Sequence, residues 1–342
     1  MSVWGKYEEN RTSAHEKTQG TFLLGARCFV RLTITATMID RGKHPAPHQE
    51  FFSSPSFKKY YILRTIYCRL MFPLCSKNGT IIPLSEAVMP VTNIEFAYGF
   101  GVYENIRVVR GTPLFIDDHL SRLKRSAVVI GLRYAFTSEE IQQWIMTLIR
   151  ECNSEALNLK ILLIGGREPH DATLFILPLA PLFPDKKLYR DGVTAITVRY
   201  ERSFPDAKTL SMLGSYVAYR KAKAEGAYDA LLIDHHGNIT EGTRTNFFCI
   251  KDRTIISAPI EKILEGVTMK HVLTVAKNNG FTVEERDIRP QDLPSFDGAF
   301  FTSTSSKIMP IRLIDTMILP ISKDLKELME HYSDFLDQTM AK

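Results

Sequence analysis

Between Asp206 and Cys249 the spacing of apolar residues switches from helical to strand-like within one supersecondary unit, which ties the charged residues at its two ends to a single sheet. The stretch begins DAKTLSMLGSYVAYRKAKAEG and ends DALLIDHHGNITEGTRTNFFC. After Gly214, the pattern Tyr216, Val217, Tyr219, Arg220, Lys223 predicts a helix, with Gly226 just past its end. Ala230 to Ile233 predicts a strand, His236-Gly237 a turn, and Phe247 to Ile250 the hairpin partner. Lys208 then opens the unit, and Glu241 sits in the loop leading into its last strand. A lysine amine held in a dry pocket is a candidate covalent nucleophile, whereas Lys208 taken alone reads as an exposed surface residue.

The C-terminal third adds two anion-binding signals. In LEGVTMKHVLTVAKNNG, Leu264 to Gly280, a glycine and then Val267 and Thr268 open a helix whose apolar side includes Val267, Val272 and Ala276. The free amides of such a helix start attract anions. In GAFFTSTSSKIMP, Gly298 to Pro310, an apolar strand ends in the hydroxyl run Thr302, Ser303, Thr304, Ser305, Ser306, which suits a phosphate.

These segments, with FAYGFGVYENIRVVRGTPLFIDDHLSRLKRSA upstream, resemble the class IV aminotransferases, the pyridoxal-phosphate enzymes of fold type IV that include branched-chain and D-amino-acid aminotransferases and aminodeoxychorismate lyase. The likeness runs from about Met71 to the end, and five motifs occur in the family's order. It implies an α/β (α+β) chain of two domains, a smaller N-terminal α/β domain and a larger C-terminal mixed β domain with helices, with the cofactor, pyridoxal 5'-phosphate, between them. By motif match, Lys208 would be the Schiff-base lysine and Glu241 the partner of the pyridine nitrogen. Arg122, Val267, Thr268, Ser303 and Thr304 would bind the phosphate. The same match implies a homodimer acting on an amino acid and a 2-keto acid.

At 342 residues, two domains are expected. The boundaries we expect are an extension at 1–70, disordered or upstream of the true start, a small domain at 71–180, a linker at 181–191 and a large domain at 192–342. The net charge of +5 divides unevenly: residues 1–70 hold eleven Lys/Arg against five Asp/Glu, and the rest 32 against 33. The basic excess therefore belongs to the extension, and no nucleic-acid groove is expected on the body. Five scattered cysteines, without a CxxC pair, argue against a disulfide framework or a zinc site. The apolar stretches near 21–38 and 60–75 are each broken by two arginines, so no membrane span is expected and the protein reads as cytoplasmic.

Asn78-Gly79 predicts a hairpin turn before a strand at Thr80–Leu84. GFGVYE, from Gly99, lacks the third glycine of a dinucleotide loop, has Glu104 in its place, and runs on into a strand, which disfavours a nicotinamide-dependent reductase. On that strand Tyr103, Asn105 and Arg107 share one face, and Val102, Ile106 and Val108 the other. The family likeness makes the polar face a substrate pocket. Lys160, within NLKILLIGG, would either bind a substrate carboxylate or sit on an edge strand facing water. In the helix HLSRLKRSAVVIGL, Arg122, Lys124 and Arg125 all read as a solvated basic face; only the motif match singles out Arg122. Thr137 and Glu140 predict a capping box for the next helix, and Ser322–Met340 a terminal amphipathic helix.

Substrate choice is less constrained. The branched-chain enzymes carry a tyrosine five residues after the lysine, where this chain has Leu213, more like the D-amino-acid enzymes. Those use an Arg-x-His pair, where this chain has Arg167 and His170. Lys160 resembles the lyase pattern, but TEGTRTNFF, with Arg244, does not. The expected order is branched-chain-like transamination, then D-amino-acid transamination, then the lyase. From a different class, a non-catalytic binding protein with a basic N-terminal arm remains as an alternative, opposed by the set Lys208, Glu241 and Thr268.

Overall fold

The computed structural model describes residues 72–181 and 183–341; the expected N-terminal extension lies outside them. Two sheets organise the chain. The first has six strands in the order β2-β1-β6-β5-β3-β4, every neighbouring pair antiparallel: β1 (Leu74–Lys77), β2 (Thr80–Pro83), β3 (Gly101–Val109), β4 (Thr112–Pro113), β5 (Ala156–Ile164) and β6 (Thr173–Leu179). Asn78 and Gly79 both take positive φ between β1 and β2, the backbone that the Asn-Gly hairpin turn requires.

One face of this sheet is covered by the helices Ile116–Val129 and Ser138–Cys152. Leu120, Leu123 and Ala127 from the first helix and Ile141, Ile145 and Leu148 from the second pack on Val102, Ile106, Leu157, Leu159 and Ile161. Each of the large side chains buried there contributes roughly 1.5–3 kcal/mol of transfer free energy. The second helix starts with the expected capping box, Thr137 Oγ1 accepting from Glu140 N at 3.1 Å and Glu140 Oε2 from Thr137 N at 2.7 Å.

The second sheet is mixed and has nine strands: β7 (Val193–Arg199), β8 (Asp229–Ile233), β9 (Ile239–Gly242), β10 (Asn246–Lys251), β11 (Thr254–Ser257), β12 (Thr282–Glu285), β13 (Gly298–Ser303), β14 (Lys307–Ile314) and β15 (Met317–Ile318), with β12-β11-β10-β13-β14-β7-β8-β9 in order and β15 beside β14. Its central strands are buried on both faces. Phe247, Cys249, Ala299 and Phe301 enter one core, while Phe248, Ile250 and Phe300 enter another beneath the helices Val267–Asn278 and Lys323–Ala341. Alternate residues serving two cores explain the unbroken apolar runs FFCI and AFF. A third cluster seats the helix Leu213–Ala224 on β7 and β8 through Ala218, Ala222, Ala230 and Leu232.

The fold differs from the sequence reading in three places. The partner of β8 is β9, with Ile233 opposite Ile239 and Leu231 opposite Gly242, whereas β10 pairs with β11 and β13. Glu241 therefore stands on a strand, not in a loop. The segment NITEG carries too little hydrophobic alternation to signal a strand, because its polar side chains are buried at a site rather than in an apolar core. Lys160 is also not on an edge, since β5 lies between β6 and β3. Residues 186–191 of the expected linker form a short helix, capped by Asp185 Oδ1 accepting from Lys187 N at 2.8 Å.

Candidate active site

A cavity of about 340 Å³ is lined by residues of both sheets, including Tyr103 and Asn105 of β3, Arg122, Lys208, Glu241, Val267, Thr268, Ser303 and Thr304. Residues distant in sequence meet there for identifiable reasons. Lys208 lies in an extended segment before the helix Leu213–Ala224, and backbone pairing fixes it against the start of β3. Tyr103 N donates to Lys208 O at 2.9 Å, Leu210 N to Gly101 O at 2.8 Å, and Thr209 bridges Val102. Lys208 N also donates to Ser126 Oγ at 3.0 Å. A Cβ on Gly101 would meet Leu210 Cδ1 of this segment at 2.6 Å and Leu163 O of β5 at 2.7 Å, so the space between the two needs glycine there. The Lys208 amine sits 4.7 Å from the centroid of the Tyr103 ring.

Glu241, buried on β9, accepts from Arg202 Nη1 at 2.6 Å and from Leu264 N at 3.3 Å. Arg202 also donates to the carbonyls of Phe204, Pro205 and Ala207, so one guanidinium ties the turn before Lys208 to Glu241.

Arg122 is buried, contrary to the solvated face read from the sequence, whereas Lys124 and Arg125 are exposed. Its Nε and Nη2 donate to Glu104 Oε1 and Oε2 at 2.6 and 2.8 Å, and its Nη1 to Glu265 O at 3.1 Å. Glu104 is fully buried and also bonded to His119 Nδ1 at 2.8 Å. Burial alone would raise its carboxyl pKa, but the Arg122 guanidinium and the His119 bond hold it well below the usual range. Burial pushes the His119 imidazole pKa down, against the opposing pull of the Glu104 bond. Glu104 is a residue the sequence reading passed over. The signal was present, since Glu104 shares the apolar face of β3 with Val102, Ile106 and Val108, and a carboxylate there demands a buried partner.

The helix Val267–Asn278 opens at Gly266 with no side-chain cap, leaving its first amides free. A Cβ on Gly266 would collide with Asn246 Oδ1, whose amide group in turn donates to Leu264 O at 2.6 Å. At the end of β13, Ser303 Oγ lies 2.6 Å from Ser306 Oγ, and Thr302 Oγ1 is buried with no partner among the described residues.

Of the remaining residues expected at the site, Arg107 lines a smaller recess of about 140 Å³, which shares Thr268, Ser303 and Thr304 with the main cavity. Lys160 does not line either cavity; its amine points to the Tyr103 ring at 5.9 Å. Arg167 and His170 are exposed and away from both cavities. His235 belongs to the turn after β8 and pairs with Glu201, and no cluster of His, Cys, Asp or Glu among the described residues could hold a metal ion. No helix among them is long and apolar enough to cross a membrane.

The cavity thus sets an uncapped helix start, an arginine and an orphaned threonine hydroxyl, the requirements of a phosphate, alongside a lysine and a buried glutamate. That donor set fits a phosphorylated pyridine cofactor. The family described as amino-transferase class IV matches residues 101–314. A D-alanine aminotransferase from Bacillus licheniformis is 28% identical over 271 residues, spanning 74% of this chain and 95% of its own. A putative branched-chain-amino-acid aminotransferase from Methanocaldococcus jannaschii is 30% identical over 272 residues, spanning 73% and 93%. The structure of a branched-chain aminotransferase from Thermoproteus uzoniensis with norvaline matches with a TM-score of 0.70 at 27% identity, covering 76% of this chain and 93% of that one. A second solved branched-chain amino acid aminotransferase, with pyridoxamine 5'-phosphate, matches at 0.70 and 26% identity, covering 77% and 93%. The chain belongs to the class IV aminotransferases, enzymes that work with pyridoxal 5'-phosphate.

Proposed function

We propose that this enzyme moves an amino group between a branched-chain amino acid and a 2-keto acid, with Lys208 as its catalytic residue. The observation that carries this reading is the convergence of Lys208, Glu241, Arg122 and Thr268 on one cavity. Arg122, the amides of Val267 and Thr268, and the hydroxyls of Ser303 and Thr304 would hold the cofactor phosphate, and Glu241 would hold the proton of its pyridine nitrogen. Bound there, pyridoxal phosphate supplies an electron sink for the substrate α-carbon. Lys208 moves the proton at that carbon, acting as base and then as acid. Glu104 keeps the Arg122 guanidinium aimed, and the Arg202 clamp fixes the turn that delivers Lys208. Tyr103 and Asn105 form the substrate wall, with Arg107 and Lys160 behind it.

Branched-chain substrates are placed first because the matched solved structures at a TM-score of 0.70 are enzymes of that kind. D-Amino-acid transamination is the second reading, supported by the similarity to D-alanine aminotransferases and by Leu213 after the lysine. The division into a small domain at 71–180 and a large one at 192–342 belongs to the same proposal. So does a homodimer, for which the solvent-facing Val91 and Tyr98, 99% and 82% exposed, offer apolar surface. Free thiols at Cys75, Cys152 and Cys249 support a reducing, cytoplasmic setting.

The test is the visible absorption of the purified protein with and without pyridoxal phosphate, for wild type and Lys208→Ala, followed by amino-acid addition. The expected result is a band in wild type that L-leucine bleaches and D-alanine does not, with borohydride fixing the cofactor to wild type only. Bleaching by D-alanine alone promotes the second reading; a colourless protein that takes up no cofactor overturns both.

A further inference from the structure

Three arginines line the main cavity, Arg122, Arg202 and Arg244, and two of them are already committed. Arg122 is paired with Glu104 and Arg202 with Glu241. Arg244 has no hydrogen-bond acceptor and no carboxylate within ion-pair distance among the described residues, and it is the one exposed residue in the otherwise buried run 238–250. Its guanidinium is not loose, however. It lies over the ring of Tyr219 from the helix Leu213–Ala224, 3.9 Å from the ring centroid.

The loop beneath it is braced from below. Asp229, fully buried at the start of β8, accepts from Thr243 Oγ1 on one side of Arg244 and from Thr245 Oγ1, at 3.0 Å, on the other. Gly242 N donates to Thr245 O at 2.8 Å and Thr243 N to Ala230 O at 3.1 Å, closing the turn. Lys223, the neighbouring cation, has its amine occupied by the carbonyls of Ala227 and Tyr228 at 3.0 and 2.7 Å. A cation fixed at Cα by a buried carboxylate brace and at its tip by an aromatic ring, with its donors unspent and turned to a cavity, is built to receive an anion.

Resting on the aminotransferase reading, we propose that Arg244 binds the carboxylate of the amino-acid substrate, and that Asp229, through Thr243 and Thr245, and Tyr219, through stacking, are its positioning residues. Selection for amino acids over amines of the same side chain then resides in this loop, and Lys160, outside the cavity, takes no part in it.

The test separates binding from turnover. Isothermal titration calorimetry of the pyridoxal-phosphate-loaded protein with 4-methylpentanoate, and with 4-methylpentanamide as its uncharged counterpart, is run on wild type, Arg244→Met, Tyr219→Leu and Tyr219→Phe. Loss of a charge-assisted bidentate contact predicts acid binding weakened about 10- to 100-fold in Arg244→Met, with the amide unaffected. Tyr219→Leu weakens the acid by a smaller factor with the amide unaffected, and Tyr219→Phe restores acid binding; a merely structural role for the ring would weaken acid and amide alike. In steady state, Arg244→Met raises KM for the amino acid far more than it lowers kcat. Equal binding of the acid by wild type and Arg244→Met, no acid binding by wild type, or equal weakening of acid and amide overturns the inference. Absence of any transamination by a wild type that still binds the acid through Arg244 overturns the proposed function and leaves the carboxylate site standing.

Discussion

Removing Glu104 alone should cost this protein more stability than removing Glu104 and Arg122 together. Glu104 is 0% and Arg122 4% exposed, and the pair shares two hydrogen bonds of 2.6 and 2.8 Å. Glu104→Leu matches the apolar face of β3 but strands a buried guanidinium, whose remaining protein acceptor is Glu265 O. Breaking a buried pair from one side costs about 3–5 kcal/mol, whereas replacing both partners by apolar residues is often close to neutral. The expected urea-unfolding series is therefore a loss of about 3–5 kcal/mol in Glu104→Leu, a similar loss in Arg122→Met, and a double variant within about 1–2 kcal/mol of wild type, all without cofactor. Inorganic phosphate should recover part of the loss in Glu104→Leu, because it gives the stranded guanidinium an anion, and none in Arg122→Met. The pH dependence has a definite sign. The folded carboxyl lies below its ordinary value of 4.5, so its stabilisation is complete above that value and drains away as pH falls toward the folded pKa. Wild type should lose stability more steeply than Glu104→Leu below about pH 4.5. A single variant that unfolds like wild type, or a double variant at the sum of the singles, would refute the reasoning.

Lys208→Ala should lower the transamination rate by at least about 10²–10⁴, the usual contribution of a positioned proton-transfer group, with the fold unchanged by circular dichroism. Gly266→Ala drives a Cβ into Asn246 Oδ1 at the helix start, so it should destabilise by about 1–3 kcal/mol in urea and weaken cofactor uptake by fluorescence titration. Arg202→Met releases the turn at 203–207 and strands the buried Glu241 carboxylate, so it should reduce kcat and also lower the unfolding midpoint, as Glu104→Leu does. Cys249 is fully buried and burial pushes its thiol well up, so a thiol reagent should leave it unmodified in the native protein and label it in denaturant.

The sequence determined those features whose physics is local. The Asn78-Gly79 turn, the Thr137/Glu140 capping box, the helix closed by Gly226 and the helix opened by Gly266 each follow from backbone preferences within a few residues. The order of the motifs was enough to identify the family and the cofactor it uses. Pairing was decided by tertiary structure. NITEG is a strand because β8 and the site bury it, and FFCI pairs elsewhere because its alternate residues feed two cores that no local window can distinguish. Charge followed the same division. From sequence Arg122, Lys124 and Arg125 are three equivalent cations on one helix, yet only Arg122 meets a buried carboxylate, and that carboxylate comes from a strand eighteen positions earlier. Whether a charged side chain is solvated or spent in an ion pair depends on what the fold lays against it, and this is what left Arg244, of the three arginines in the cavity, with its donors open.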